Sequence, residues 1–336
     1  MAALEYSRSG SDSIIKKPKK EYFNIILETR DYIAEIRKKE ITFSEPFMWL
    51  NGDPIFYPNT INVIQGKTGV HKSRLVQDIC SALLKKQNCD NILLGLLANN
   101  RIKTNVLYVD TERNIKDQFP FAVRQIFLRA GHDPAIDLDN FDVISLMEID
   151  RNDRFMALEE YIGEIRKIYT EHIVIILDVV TDCINSFNDP KESMSFIDMM
   201  NRFINKQAVT FICLIHENPG NGSEKARGHL GTEITNKAST VIQIGFEKET
   251  DIVKINFTKC RNSKRPEPTF AYYSESEKGL VLADNKLVRE ALDKNRDRAT
   301  VEQVVKELPI ILTGDKKRTD IYAHLIEEFN CSEKTI

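Results

Sequence analysis

The sequence has little cysteine and none of it paired: Cys80, Cys89, Cys183, Cys213, Cys260 and Cys331, with no C-x-x-C spacing. That argues against a disulfide framework or a zinc site and for a reducing compartment. No apolar run approaches the roughly 20 residues of a membrane span. Met1 is followed by polar and charged residues with no apolar core, so no secretory signal is read and a cytoplasmic location is expected. There is no excess of positive charge either: 47 Lys and Arg against 50 Asp and Glu leave a net charge of −3. A global basic field for nucleic acid is therefore excluded, and any such contact must rest on local patches. Internal repeats and long low-complexity tracts are lacking, which removes solenoids. What remains is a chain of 336 residues, 42% hydrophobic and 29% charged. That is enough for one large α/β domain with small additions.

The most informative stretch is Val63-Ile64-Gln65-Gly66-Lys67-Thr68-Gly69-Val70-His71-Lys72-Ser73. It reads as an apolar strand, a glycine-bearing loop, and Lys-Ser at the mouth of a helix. This is the layout of a phosphate loop, G-x-x-x-x-G-K-[ST], with His71 in place of the second glycine. Successive backbone N–H groups must converge on phosphate oxygens, and Gly66 and Gly69 supply the freedom for it. Lys67, Thr68, Val70 and His71 complete the cradle, and histidine tolerates the left-handed region better than most residues. The helix N-terminus favours an anion. Lys72 would reach the β- and γ-phosphates, and the Ser73 hydroxyl would hold Mg²⁺. An ordinary turn before an ordinary helix is the plain alternative; the strand before and the helix after favour nucleotide binding. Lys67 is either a second phosphate contact or an exposed loop lysine.

The chain divides into three. Residues 1–45 read as a flexible arm, with a basic run at Lys16, Lys17, Lys19 and Lys20, and then a helix or helix pair over Glu21–Lys39. Its Phe23, Ile26, Ile33 and Ile36 recur on one side, as for docking on a neighbouring subunit. Residues 46–284 alternate strands and helices, the pattern of a mostly parallel sheet. Strands are expected at Thr60–Gln65, Asn105–Asp110, Phe141–Leu146, His172–Leu177 and Val209–Ile215, with a hairpin of Thr240–Phe246 and Ile252–Thr258 at one edge. Phe270–Tyr273 and Gly279–Leu282 are candidates to extend it. Gly220–Ser223 reads as a mobile loop. Residues 285–336 carry short helical patterns, either a plain cap or a small helical or winged-helix unit, with another helix start at Ser332–Thr335.

A phosphate loop needs a second carboxylate for the metal, normally at the end of an apolar strand. Asp178 fits, after Ile173-Val174-Ile175-Ile176-Leu177. Val179 follows it, so a water-activating glutamate must come from elsewhere. Val106-Leu107-Tyr108-Val109-Asp110-Thr111-Glu112-Arg113 offers Glu112 just past a strand end, on the edge where ligands bind in parallel sheets. His216 ends the strand Val209–Ile215 and is either a γ-phosphate sensor or a structural histidine. Lys259 and Arg261 are either a basic turn or a pair acting on a neighbour's nucleotide. Arg227–Thr232 is either a channel-lining loop or a helix cap.

On these residues the chain resembles the RecA-like ATPases, and among them the hexameric replicative helicases of the DnaB and plasmid RepA type. The resemblance spans roughly Pro46 to Asp284 and rests on Gly66–Ser73, Glu112, Asp178 and Lys259-Cys260-Arg261. The His71-Lys72-Ser73 variant is similar to RepA-like ATPases of mobile elements such as mobilizable transposons. His216 departs from the glutamine usual in RecA and DnaB relatives. The resemblance implies a homo-oligomer, a hexameric ring in this group, that hydrolyses Mg-ATP on single- or double-stranded DNA. A non-catalytic ATP-binding regulator or accessory DNA-binding protein is the alternative. A small-molecule kinase lacks an Arg-rich lid segment.

Overall fold

Ile173-Val174-Ile175-Ile176-Leu177 leaves no polar face, so the strand it forms has to be covered on both sides. The computed structural model describes residues 19–220, 224–247, 250–294, 301–313 and 316–329. The expected arm up to residue 18, residues 221–223 of the glycine loop, residues 248–249 of the hairpin turn and Ser332–Thr335 lie outside the described residues.

Met1–Ser44 and Glu45–Ile336 form two compact units. In the first, the expected helix is α1 (Lys19–Ile36), and its Phe23, Ile26 and Ile33 are exposed. In the second, β1 (Met48–Leu50) and β2 (Asp53–Phe56) precede β3 (Ile61–Gly66) and α2 (Lys72–Leu83). Next come β4 (Leu96–Ala98), β5 (Thr104–Asp110), α3 (Gln118–Arg129), β6 (Phe141–Ser145), α4 (Arg151–Ile168) and β7 (His172–Asp178). A short 3₁₀ turn, Val180–Cys183, leads to α5 (Pro190–Gln207), β8 (Val209–His216) and α6 (Gly228–Lys237). The rest is β9 (Thr240–Phe246), β10 (Val253–Cys260), β11 (Thr269–Ser274), β12 (Gly279–Leu282), α7 (Asn285–Lys294), α8 (Val301–Ile311) and α9 (Arg318–Glu328).

Among the described residues the main sheet has nine strands, in the order β12-β11-β10-β9-β3-β8-β7-β5-β6. The six from β9 to β6 are parallel, and β10, β11 and β12 add antiparallel pairs. The hairpin β9–β10 is therefore interior, and β12 is the edge. Three short strands, β2-β1-β4, make a separate antiparallel sheet.

Alternate residues of the central strands feed two cores. Val174 and Ile176 of β7 pack with Leu75, Val76 and Ile79 of α2 and Ile126 of α3. Ile173, Ile175 and Leu177 face the other way, onto Leu158 of α4, Phe196 of α5 and Ile234 of α6. Each such fully buried aliphatic side chain contributes about 1.5–3 kcal/mol. After Leu282 the described residues hold helices and no strand. Ile311 of α8 and Leu325 of α9 are buried, and no wing is seen among the described residues.

Candidate functional site

Register brings the site together. Asp110 of β5 pairs with Asp178 of β7, and Gly66 of β3 pairs with His216 of β8. All four strands are parallel, so the loop after β3, Glu112 after β5, Asp178 and His216 share the carboxyl edge.

Gly66 is required by close approach: a Cβ there would collide with the Ile244 carbonyl oxygen. Gly69 is required by its φ of 81°, and His71 adopts the left-handed region at φ 68°. For a residue with a Cβ that conformation costs on the order of 1–3 kcal/mol. His71 makes no side-chain cap to α2, so the first N–H groups of that helix are left for an anion. Thr68, Gly69, Val70, His71, Lys72 and Ser73 line one side of a cavity of about 450 Å³, and Glu112, Arg113 and His216 line the other. Lys67 does not line it; this lysine borders a second cavity with Glu217 and Glu224.

Lys72 is buried, and its Nζ donates to the carbonyls of Gly66 at 2.9 Å and Lys67 at 2.7 Å. Burial pulls its ammonium down to about 8, against the opposing pull of Asp178, Glu112 and Glu217. The same Nζ stands 3.1 Å from His216 Nδ1, and His216 Nε2 stands 3.4 Å from Glu112 Oε1. The tautomer that satisfies both contacts accepts at Nδ1 and carries its proton on Nε2. His216 thus links the phosphate-loop lysine to the carboxylate. Its hydrogen bond is the main cause holding Glu112 below the usual carboxylate range.

Ser73 Oγ donates to Asp178 Oδ1 at 3.0 Å. The other carboxylate oxygen accepts from Tyr108 OH at 2.7 Å and Arg113 Nη2 at 2.8 Å. Arg113 also pairs with Asp110. Asp110 Oδ1 accepts from the backbone N–H of Glu112 at 3.2 Å and of Arg113 at 2.7 Å, so it shapes the turn that carries Glu112. Burial raises the Asp110 carboxyl to about 6, with Arg113 opposing. Thr111 exchanges hydrogen bonds with Val179 across the neighbouring strand end. Asp110, Arg113 and Tyr108 are not singled out by the sequence; the i, i+3 spacing of Asp110 and Arg113 around Glu112 is the one local signal for them.

Lys259 and Arg261 lie elsewhere. Cys260 pairs with Thr240 at the start of β9, and β9 runs parallel to β3, so this end of β10 is at the amino edge. Lys259 Nζ donates to the carbonyls of Thr235 at 2.8 Å and Asn236 at 3.0 Å, and Arg261 Nη2 to Asn236 at 2.6 Å. Within this chain both cations serve the C-terminal end of α6, where the dipole favours positive charge. They do not meet Glu112 or Lys72 of their own subunit. Arg227 precedes α6, with its guanidinium 5.0 Å from the centre of the Phe187 ring.

No family model matches the sequence, and no curated protein matches it. Among solved structures the chain is similar to the crystal structure of the RadB recombinase, with 13% identity and a TM-score of 0.46. The match covers 68% of this chain and 92% of that one. Among the described residues no helix is long and apolar enough to cross a membrane.

Proposed function

We propose that the chain is a Mg-dependent ATPase acting on DNA for the replication, excision or mobilisation of a mobile element, as a ring-forming helicase or its accessory. The supporting observation is the gathering of Lys72, Ser73, Asp178 and Glu112 at one sheet edge, around or beside one cavity. The DNA partner, the ring and the mobile-element role rest on the motif resemblance alone.

Hard oxygen donors suit Mg²⁺, and the Ser73 hydroxyl and the Asp178 carboxylate form such a pair. These two residues would hold the ion, which when bound offsets the charge on the β- and γ-phosphates. The backbone N–H groups of residues 69–73 cradle the phosphates, and Lys72 exchanges its two carbonyl partners for phosphate oxygens. Glu112 accepts a proton from the attacking water. His216, touching both Lys72 and Glu112, feels whether the γ-phosphate is present. Lys259 and Arg261 act on the nucleotide of a neighbouring copy.

Two results test the parts. Because Lys72 must be charged to bind and its free-protein pKa is about 8, nucleotide affinity is lost as pH rises. It falls about tenfold between pH 7 and 9 by proton linkage. A Kd measured by calorimetry that stays flat over that range contradicts the Lys72 role. Arg261→Ala lowers turnover about tenfold, the scale of one charge-assisted hydrogen bond, and only in the assembled protein. An equal loss in isolated monomers removes the trans role.

The second reading, a non-catalytic ATP-binding regulator, is favoured by the His216 contact, which holds the Glu112 carboxyl below the usual range and so weakens it as a base. Steady-state hydrolysis with Mg²⁺, with and without single-stranded DNA, alongside the native mass separates the two. DNA-stimulated turnover by a multimer supports the motor. Binding without turnover supports the regulator.

A further inference from the structure

A histidine at the last loop position before Lys72 needs something to hold it left-handed, and three rings meet there. The His71 imidazole lies parallel to Tyr273, at 5.4 Å between centroids and 7° between planes. Phe246 meets the same imidazole edge-on, at 5.6 Å and 84°. Both partners come from the carboxyl edge: Phe246 ends β9, and Tyr273 lies near the end of β11, two residues past Ala271, whose partner Val253 also pairs with Phe246. On the far side, the first turn of α2 is tied to the same place. The Arg74 guanidinium lies 5.5 Å from the Tyr273 ring centre, and its Nη1 donates to the Lys278 carbonyl at 3.2 Å. Burial, with the Arg74 charge nearby, moves the His71 imidazole toward its neutral form.

We propose that Tyr273 and Phe246 are positioning residues for phosphate binding, acting through His71 by holding the loop in its left-handed conformation before nucleotide arrives. The proposal rests on the nucleotide-site reading above. A loop fixed beforehand loses less freedom on binding, so the clamp appears as affinity. Glycine at position 71 would need no clamp, since it adopts positive φ freely. In this chain the aromatic pair replaces the missing glycine.

The test is equilibrium titration of ATP into the full chain in two backgrounds. With His71 present, Tyr273→Ala weakens ATP binding about tenfold, which corresponds to about 1.4 kcal/mol, while Tyr273→Phe keeps the stack and the affinity. In the His71→Gly background, Tyr273→Ala has no further effect. Phe246→Ala repeats the comparison should Tyr273→Ala fail to fold. An equal loss in both backgrounds, or no loss in either, overturns the proposal while leaving the nucleotide site intact, provided Lys72→Ala weakens binding at least about thirtyfold. A wild-type chain that binds no ATP overturns both.

Discussion

Glu112→Gln leaves ATP binding unchanged or tighter and lowers the hydrolysis rate about 10²–10⁴-fold, the usual share of a general base. The substitution is nearly isosteric. The amide oxygen still accepts from His216 Nε2, so the link from Lys72 through His216 survives. The Asp110 turn holds the backbone of residue 112, and that too is untouched. What disappears is the proton acceptor and one negative charge beside the phosphates. Single-turnover measurements of phosphate release, set against calorimetric Kd values, separate the two effects. A variant that hydrolyses ATP at the wild-type rate removes Glu112 from the chemistry. A variant that loses binding and turnover together makes it a structural residue.

Lys72→Ala weakens ATP binding by about 2–5 kcal/mol, the cost of truncating one partner of a buried charged contact. That is roughly thirtyfold to several thousandfold in Kd. The ammonium that would meet the phosphates is gone; the contacts to the Gly66 and Lys67 carbonyls belong to the free protein and are given up on binding, so their loss does not add to the effect. Circular dichroism and thermal unfolding check that the fold is retained, since Lys72 stands on a helix whose core contacts are made by Leu75, Val76 and Ile79. Undiminished affinity would end the phosphate-loop assignment.

What depends on near neighbours was legible in the sequence. The loop Gly66–Ser73, Asp178 at the end of five aliphatic residues, Glu112 past β5 and His216 at the end of β8 follow from strand ends and from the rule that parallel strands share one edge. The ranges of β9 and β12 match the strands read from the sequence. The short strands β1, β2 and β4 were not legible, because three or four residues carry too little periodicity to stand out. Long-range partners were not legible either. Arg113 reaches Asp178 across 65 positions, and Tyr273 reaches His71 only because β11 follows β10 at the flank of β9. The same holds for Lys259 and Arg261. Their charge is plain in the sequence, but the α6 carbonyls they serve are set by the fold. The finer resemblance to replicative helicases rests on the motifs alone.

The most direct measurement is hydrogen–deuterium exchange of the full chain with and without Mg-ATP, read over the segment 66–77 in wild type and in Lys72→Ala. Slower exchange in that segment, present in wild type and missing in the variant, is the expected result. Protection that lies elsewhere, or that survives in Lys72→Ala, would contradict a nucleotide site built on this loop.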